Sequence, residues 1–256
     1  MPFVRIAAAA LIALSLPVEA EEEKRRCTAV VTSVTPFSTG VVGDAPPPAW
    51  QPLRITPFKT PTDYTTQYED GRTVVRAQAH ASASGLMHRV REDTRASIRL
   101  RWEWKIDDAP PSADVRSARA EDAAARVVLE FSRTPDLARA EAGASTRLLM
   151  GADPKEHVLL MYIWSERVPV GSILTGPRSA HVRMIVVGGP EGFGRWQRFE
   201  RDPVADLRRA FGMQLGWLTG VAILTDTDNT GERADARYGD IVLTRCAEED
   251  DGRGPL

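Results

Sequence analysis

The stretch RASIRLRWEWKID, residues 95–107, decides the fold class. Ile98, Leu100, Trp102, Trp104 and Ile106 take one set of alternate positions, and Arg99, Arg101, Glu103 and Lys105 take the other. A period of two sends these sets to opposite faces of an extended strand. One face is dry and one is wet, the pattern antiparallel sheets commonly carry.

Reading outward, ARVVLEFS (125–132) alternates in the same way, with Val127, Leu129 and Phe131 expected inward and Arg126 and Glu130 outward. In RTVVRAQAHASASG (72–85), Ala77, Ala79, Ala81 and Ala83 share one face. HVLLMYIWS (157–165) is apolar on both faces and reads as a central strand. HVRMIVVGG (181–189), RWQRFER (195–201), LTGVAILTD (218–226) and RYGDIVLTR (237–245) continue the series, separated by turns rich in Gly, Pro and Asp. DPVADLRRAFG (202–212) is the one well-punctuated helix: Asp202 at the N-cap, Pro203 at the first position, Gly212 as the stop. A second short helix is a candidate within residues 135–150. The expected fold is an all-β antiparallel sandwich of jelly-roll type with one or two short helices.

The chain ends carry addressing information. Residues 1–20, MPFVRIAAAALIALSLPVEA, have a basic Arg5, an apolar run from Ile6 to Leu16, and small residues Val18 and Ala20 ahead of Glu21. This is the pattern of a cleaved signal peptide, too short for a stable membrane anchor. Export to the periplasm or the exterior is therefore expected, with no membrane span in the mature chain. The two cysteines, Cys27 and Cys246, lie near the ends of that mature chain and are expected to form one disulfide. Residues 21–50 read as an extension ending in the proline-rich linker GDAPPPAW (43–50), residues 51–247 as the sandwich, and 248–256 as an acidic tail. A net charge of −2 gives no electrostatic case for nucleic acid.

Chemistry is sparser. In LTDTDNTG (224–231), Asp226, Asp228 and Thr230 match positions 1, 3 and 5 of a calcium loop, with Gly231 at position 6. Position 12, where a bidentate Glu completes such a loop, is Arg237, and the flanks read as strands. Three readings stay open: a Ca²⁺ held by Asp226, Asp228 and Thr230 outside the EF-hand pattern, a catalytic carboxylate, or a tight turn. Glu121-Asp122 could supply a second carboxylate to Asp226 or Asp228 for glycan cleavage. His80, His88, His157 and His181 have no metal-ligand spacing, and no nucleophile elbow or phosphate loop occurs. Tyr162 and Trp164 share a face near the end of their strand, where aromatic rings and acidic groups together suit a sugar.

RLRWEWKIDDAPPSADVR, EDAAARVVLEF, MYIWS, PVGS, RAFG, LTDTDNTG and YGDI resemble, in order, the motifs of the DUF3047 family, from about residue 50 to residue 245. The resemblance implies one exported domain and no particular reaction. It points to Glu121, Asp122, Arg126, Tyr162, Trp164, Asp226, Asp228, Asn229, Tyr238 and Asp240 as a shared site. Ala123 stands where the family pattern has an aromatic residue, so any role of that ring is lost here. The functional expectation is a non-catalytic sandwich that binds carbohydrate or a cell-envelope glycan. The alternative is a glycan hydrolase or lyase working through the acidic residues of 226–228 and 121–122.

Overall fold

The computed structural model describes residues 33–135, 144–149 and 157–246. Thirteen strands are described: β1 (Gln51–Arg54), β2 (Asp63–Glu69), β3 (Arg72–His80), β4 (Ala83–Asp93), β5 (Ser97–Asp108), β6 (Ala123–Ser132), β7 (His157–Trp164), β8 (Ile173–Thr175), β9 (Val182–Gly188), β10 (Gln197–Arg201), β11 (Trp217–Asp226), β12 (Arg233–Tyr238) and β13 (Val242–Cys246). They form a jelly-roll-type sandwich. One sheet has the order β1-β4-β11-β6-β7-β9-β8 and the other β10-β5-β12-β3-β2, with β13 also on β5. All described pairings are antiparallel except β7 with β9. The last two strands run along one edge of β5: Tyr238 lies opposite Trp104 and Val242 opposite Arg101, so one extra residue bulges between them.

The alternation in 95–107 becomes β5, whose Ile98, Leu100, Trp102, Trp104 and Ile106 are all buried between the sheets. Trp102 stacks on Tyr162 and on Phe199, with ring centroids 4.8 and 5.0 Å apart. Each such buried ring stabilises by about 1.5–3 kcal/mol. The helix forms where its punctuation requires: α2 (Pro203–Phe211) has the Asp202 carboxylate accepting from the amides of Val204 and Ala205, and Gly212 ends it at φ +68°. A second helix, α1 (Ala144–Leu149), starts just beyond Gly143.

Two readings of the strands are corrected. Residues 72–85 are not one strand: Ala81 adopts φ +46°, and the chain passes there from one sheet to the other. Arg126 and Glu130 do not face water; all of β6 is buried. The outer side of the seven-stranded sheet is covered by a second apolar cluster that includes Leu53, Val115, Leu148, Val168 and Met184. Glu130 is accommodated there by Arg89 Nη1 at 3.0 Å, Thr219 Oγ1 at 3.1 Å and the Ser145 hydroxyl.

Residues 33–50 lie against the sandwich, with Val34, Phe37 and Trp50 in the core. Cys27 and the signal-like residues 1–20 lie outside the described residues, as do residues 247–256, and Cys246 closes β13. No described helix is long and apolar enough to cross a membrane.

Candidate functional site

β11 ends at Asp226 and β6 begins at Ala123, neighbours in the seven-stranded sheet, so the 227–231 turn meets the Glu121-Asp122 pair at one end of the sandwich. Asp122, fully buried, accepts from Thr230 N (2.7 Å), Asn229 N (3.2 Å) and Asn229 Nδ2 (3.0 Å). The turn itself closes by Gly231 N donating to Thr227 O at 2.9 Å, and Gly231 has φ +73°. That left-handed backbone favours glycine, because any Cβ there is strained against its own peptide even though the space around it is open. LTDTDNTG is thus a five-residue turn clamped by a carboxylate from the adjacent strand end.

Asp226 accepts from Ala123 N at 3.0 Å and lies 3.1 Å from Arg126 Nη2. The same nitrogen donates to Glu121 O at 2.8 Å. Burial pushes the Asp226 carboxyl up to about 7; Arg126 opposes this, and the charges of Asp122 and Glu121 reinforce it. Burial also raises Glu121, against the pull of Arg126 and Arg178. Arg126 stays charged: burial works against its charge, and Asp226, Glu121 and Asp122 together outweigh it. One guanidinium shared by three acids explains why it gains while Asp226, its nearest partner, still titrates high. Lys59 Nζ holds Asp228 Oδ2 at 2.5 Å, and among the described residues buried Asp228 Oδ1 has no hydrogen-bond partner, nor has Arg126 Nε.

Among the described residues, Asp122, Asp226 and Asp228 could offer one oxygen each to a cation within 4.8 Å of one another. Thr230 contributes its amide to Asp122. Turn amides, Arg126 and Lys59 already neutralise these carboxylates, so a Ca²⁺ would have to displace them. The space between Glu121, Arg126, Asp226, Arg178 and Lys59 is a cavity of about 30 Å³, enough for about one water molecule.

The expected set therefore divides. Glu121, Asp122, Arg126, Asp226, Asp228 and Asn229 gather at this end. Tyr238 lies buried beneath it, its hydroxyl 2.8 Å from Thr225 Oγ1 and taking the Arg126 amide at 3.3 Å. Tyr162 and Trp164 are core residues: Tyr162 donates to Asp206 Oδ2 at 2.8 Å, and Trp164 Nε1 to Gly189 O at 2.9 Å. The aromatic rim expected from them is absent because alternation points both rings between the sheets. Asp240 lies elsewhere, accepting from Ser38 N at 2.8 Å and Ser38 Oγ at 2.7 Å. Trp196 and Trp217 are half-buried beneath Arg72 and Arg91.

The residues missing from the sequence reading come from loops. Lys59 belongs to the segment between Pro57 and Pro61, and the Phe58 ring beside it is 96% exposed. Arg178 donates to Asn229 Oδ1 at 2.9 Å and lies 3.4 Å from Glu121. No periodicity marks such positions. The only advance sign was an aromatic-Lys pair bracketed by prolines.

The model of the DUF3047 family, described as a protein of unknown function, matches residues 48–242. A search of curated proteins finds no match. Among solved structures, the Emp47p carbohydrate recognition domain aligns at 10% identity and TM-score 0.42, covering 84% of this chain and 95% of that one. The catalytic domain of Humicola grisea Cel12A, in complex with a thio cellotetraose, aligns at 15% identity and TM-score 0.38, covering 75% and 90%. TmCBM61, in complex with β-1,4-galactotriose, aligns at 9% identity and TM-score 0.38, covering 84% and 99%. At these scores the likeness carries no argument about ligand or chemistry.

Proposed function

We propose that this chain, which belongs to the DUF3047 family, is an exported, non-catalytic sandwich protein that binds carbohydrate or a cell-envelope glycan at the loop end where Lys59, Glu121, Arg178 and Asn229 meet and Phe58 precedes Lys59 in the chain. The observation that carries the reading is the Phe58 ring, 96% exposed, one residue from a polar cluster whose side chains are held in place by one another. An exposed ring offers its face to the apolar C–H side of a sugar, and fixed carboxylate, amide and guanidinium groups meet the hydroxyls. The polar groups are pre-organised, so little side-chain ordering opposes binding.

The alternative, a glycan hydrolase or lyase using the carboxylates of 226–228 and 121–122, is supported less. Glycoside hydrolysis ordinarily uses two carboxylates flanking the bond, and the cavity between Glu121 and Asp226 holds about one water. Export, to the periplasm or the exterior, rests on residues 1–20, and the Cys27–Cys246 pairing on that destination.

A glycan array probed with the mature chain tests the reading. At least one glycan class should be retained, and Phe58→Ala should bind it about tenfold more weakly, the loss of about 1.4 kcal/mol expected of one stacked ring. A blank array, or equal binding by the variant, would remove this site. Release of reducing ends from the bound glycan, lost in Asp226→Asn, would favour the alternative.

A further inference from the structure

We propose a second saccharide subsite in the cleft on the outer face of the six-stranded sheet, where β3 and β5 end and β12 begins. This deepens the carbohydrate-binding reading and rests on it. The cleft has a volume of about 370 Å³ and is lined by Gln78, His80, Asp107, Asp108, Arg233 and Asp235. That volume falls in the range of small-molecule sites, roughly 300–1,000 Å³. It is more than tenfold larger than the cavity beside Asp226.

The lining selects the ligand class. Asp235 is held by Arg76 Nε at 3.1 Å and Arg237 Nη1 at 3.1 Å, and Arg237 also pairs with Asp107. These carboxylates are neutralised and fixed, forming a rigid polar floor. Asp108, Arg233 and His80 are exposed and make no side-chain hydrogen bond or ion pair among the described residues. The open groups are thus one acceptor, one cationic donor and one imidazole, with no net charge between Asp108 and Arg233. With each charge in the lining paired or balanced, no net positive field draws a phosphate or other anion. Only Ala79 and Ala234 contribute apolar lining, which disfavours a lipid or aromatic ligand. A neutral polyhydroxyl ring, each hydroxyl both donating and accepting, fits this set.

The cleft and the Phe58 cluster share one end of the sandwich. Between them run the 227–231 turn and the Ala81–Ser82 corner, tied by Ala81 N donating to Glu232 O at 3.1 Å and Thr227 N to Ser82 O at 2.8 Å. The two sites therefore lie near one end of the sandwich but on the outer sides of different sheets, so each takes its own saccharide.

Isothermal titration of the mature chain with soluble trisaccharides of glucose, galactose, xylose and N-acetylglucosamine tests the proposal, using Asp108→Ala, Arg233→Ala and Phe58→Ala. Asp108, Arg233 and Phe58 are exposed, so the three variants should melt like wild type. The expected result is two equivalents bound per chain. Phe58→Ala should keep one, and Asp108→Ala or Arg233→Ala should weaken that one at least tenfold. One equivalent, lost in Phe58→Ala and unchanged in Asp108→Ala and Arg233→Ala, overturns the cleft and leaves the primary site standing. One equivalent with the opposite sensitivities supports the cleft and removes the Phe58 site. No heat with any trisaccharide overturns both.

Discussion

Replacing Asp122 by Ala should be among the most damaging single changes at this end of the protein. Its carboxylate takes two backbone amides, Thr230 N and Asn229 N, and the Asn229 side chain, and it is 1% exposed. The Asn229 amide is half-exposed and can turn to water. The two backbone donors cannot move without opening the turn. Each unsatisfied buried donor costs about 1–3 kcal/mol, so the expected loss for the two is about 2–6 kcal/mol. Asp122→Asn keeps one acceptor oxygen but presents an amide NH₂ toward the other N–H, and should recover under half of the loss. Urea unfolding of the chain at pH 7, followed by tryptophan fluorescence, measures both. A loss below about 1 kcal/mol for Asp122→Ala, with an unchanged m-value, would refute the claim that this carboxylate clamps the turn.

Other outcomes follow from the buried charges. For Glu130, burial favours the neutral acid, but His157, Arg89 and Ser145 together hold it down to about 2 from the usual 4.5. A depressed carboxyl stabilises the fold above its unfolded value, and the gain is lost as pH falls from about 4.5 through 2. Glu130→Gln should flatten stability in that window and cost about 2–3 kcal/mol at neutral pH by urea unfolding. For Asp226, raised to about 7 from 3.8, the sign reverses: the folded state holds the proton, so stability falls as pH rises between those values. Asp226→Asn keeps an acceptor for Ala123 N and should remove that slope in a pH series of melts. Millimolar Ca²⁺ against EDTA should shift the melting temperature by less than about 1 °C, because Lys59, Arg126 and three backbone amides already serve the three carboxylates. A rise of several degrees that Asp226→Ala abolishes would make the turn a cation site.

How far the sequence could be read depended on what each signal reports. Alternation reports which neighbours share a face, so β5 and its Trp102 and Trp104 were legible, as was α2 from its cap, proline and stop. Alternation does not report what covers the other face. Arg126 and Glu130 looked solvated because nothing in residues 125–132 reveals that α1 and the 109–122 loop close over β6. The same blindness placed Tyr162 and Trp164 at a rim: their shared face was correct, but it is the inner one. The acidic half of the site was legible because Asp122 and Asp226 begin and end paired strands. Phe58, Lys59 and Arg178 were not, since loop positions obey no period and meet only through the folded chain. The large cleft needed three strands in register before Asp108 and Arg233 could be seen to share it.

The central claim is that this end of the sandwich holds a glycan against Phe58, and retardation in native gels cast with dissolved polysaccharides tests it most directly. Wild type should be slowed by at least one polysaccharide, and Phe58→Ala, with an unchanged melting temperature, should migrate nearly as in a plain gel. Equal retardation of both proteins, or free migration of wild type through every polysaccharide, would contradict the account.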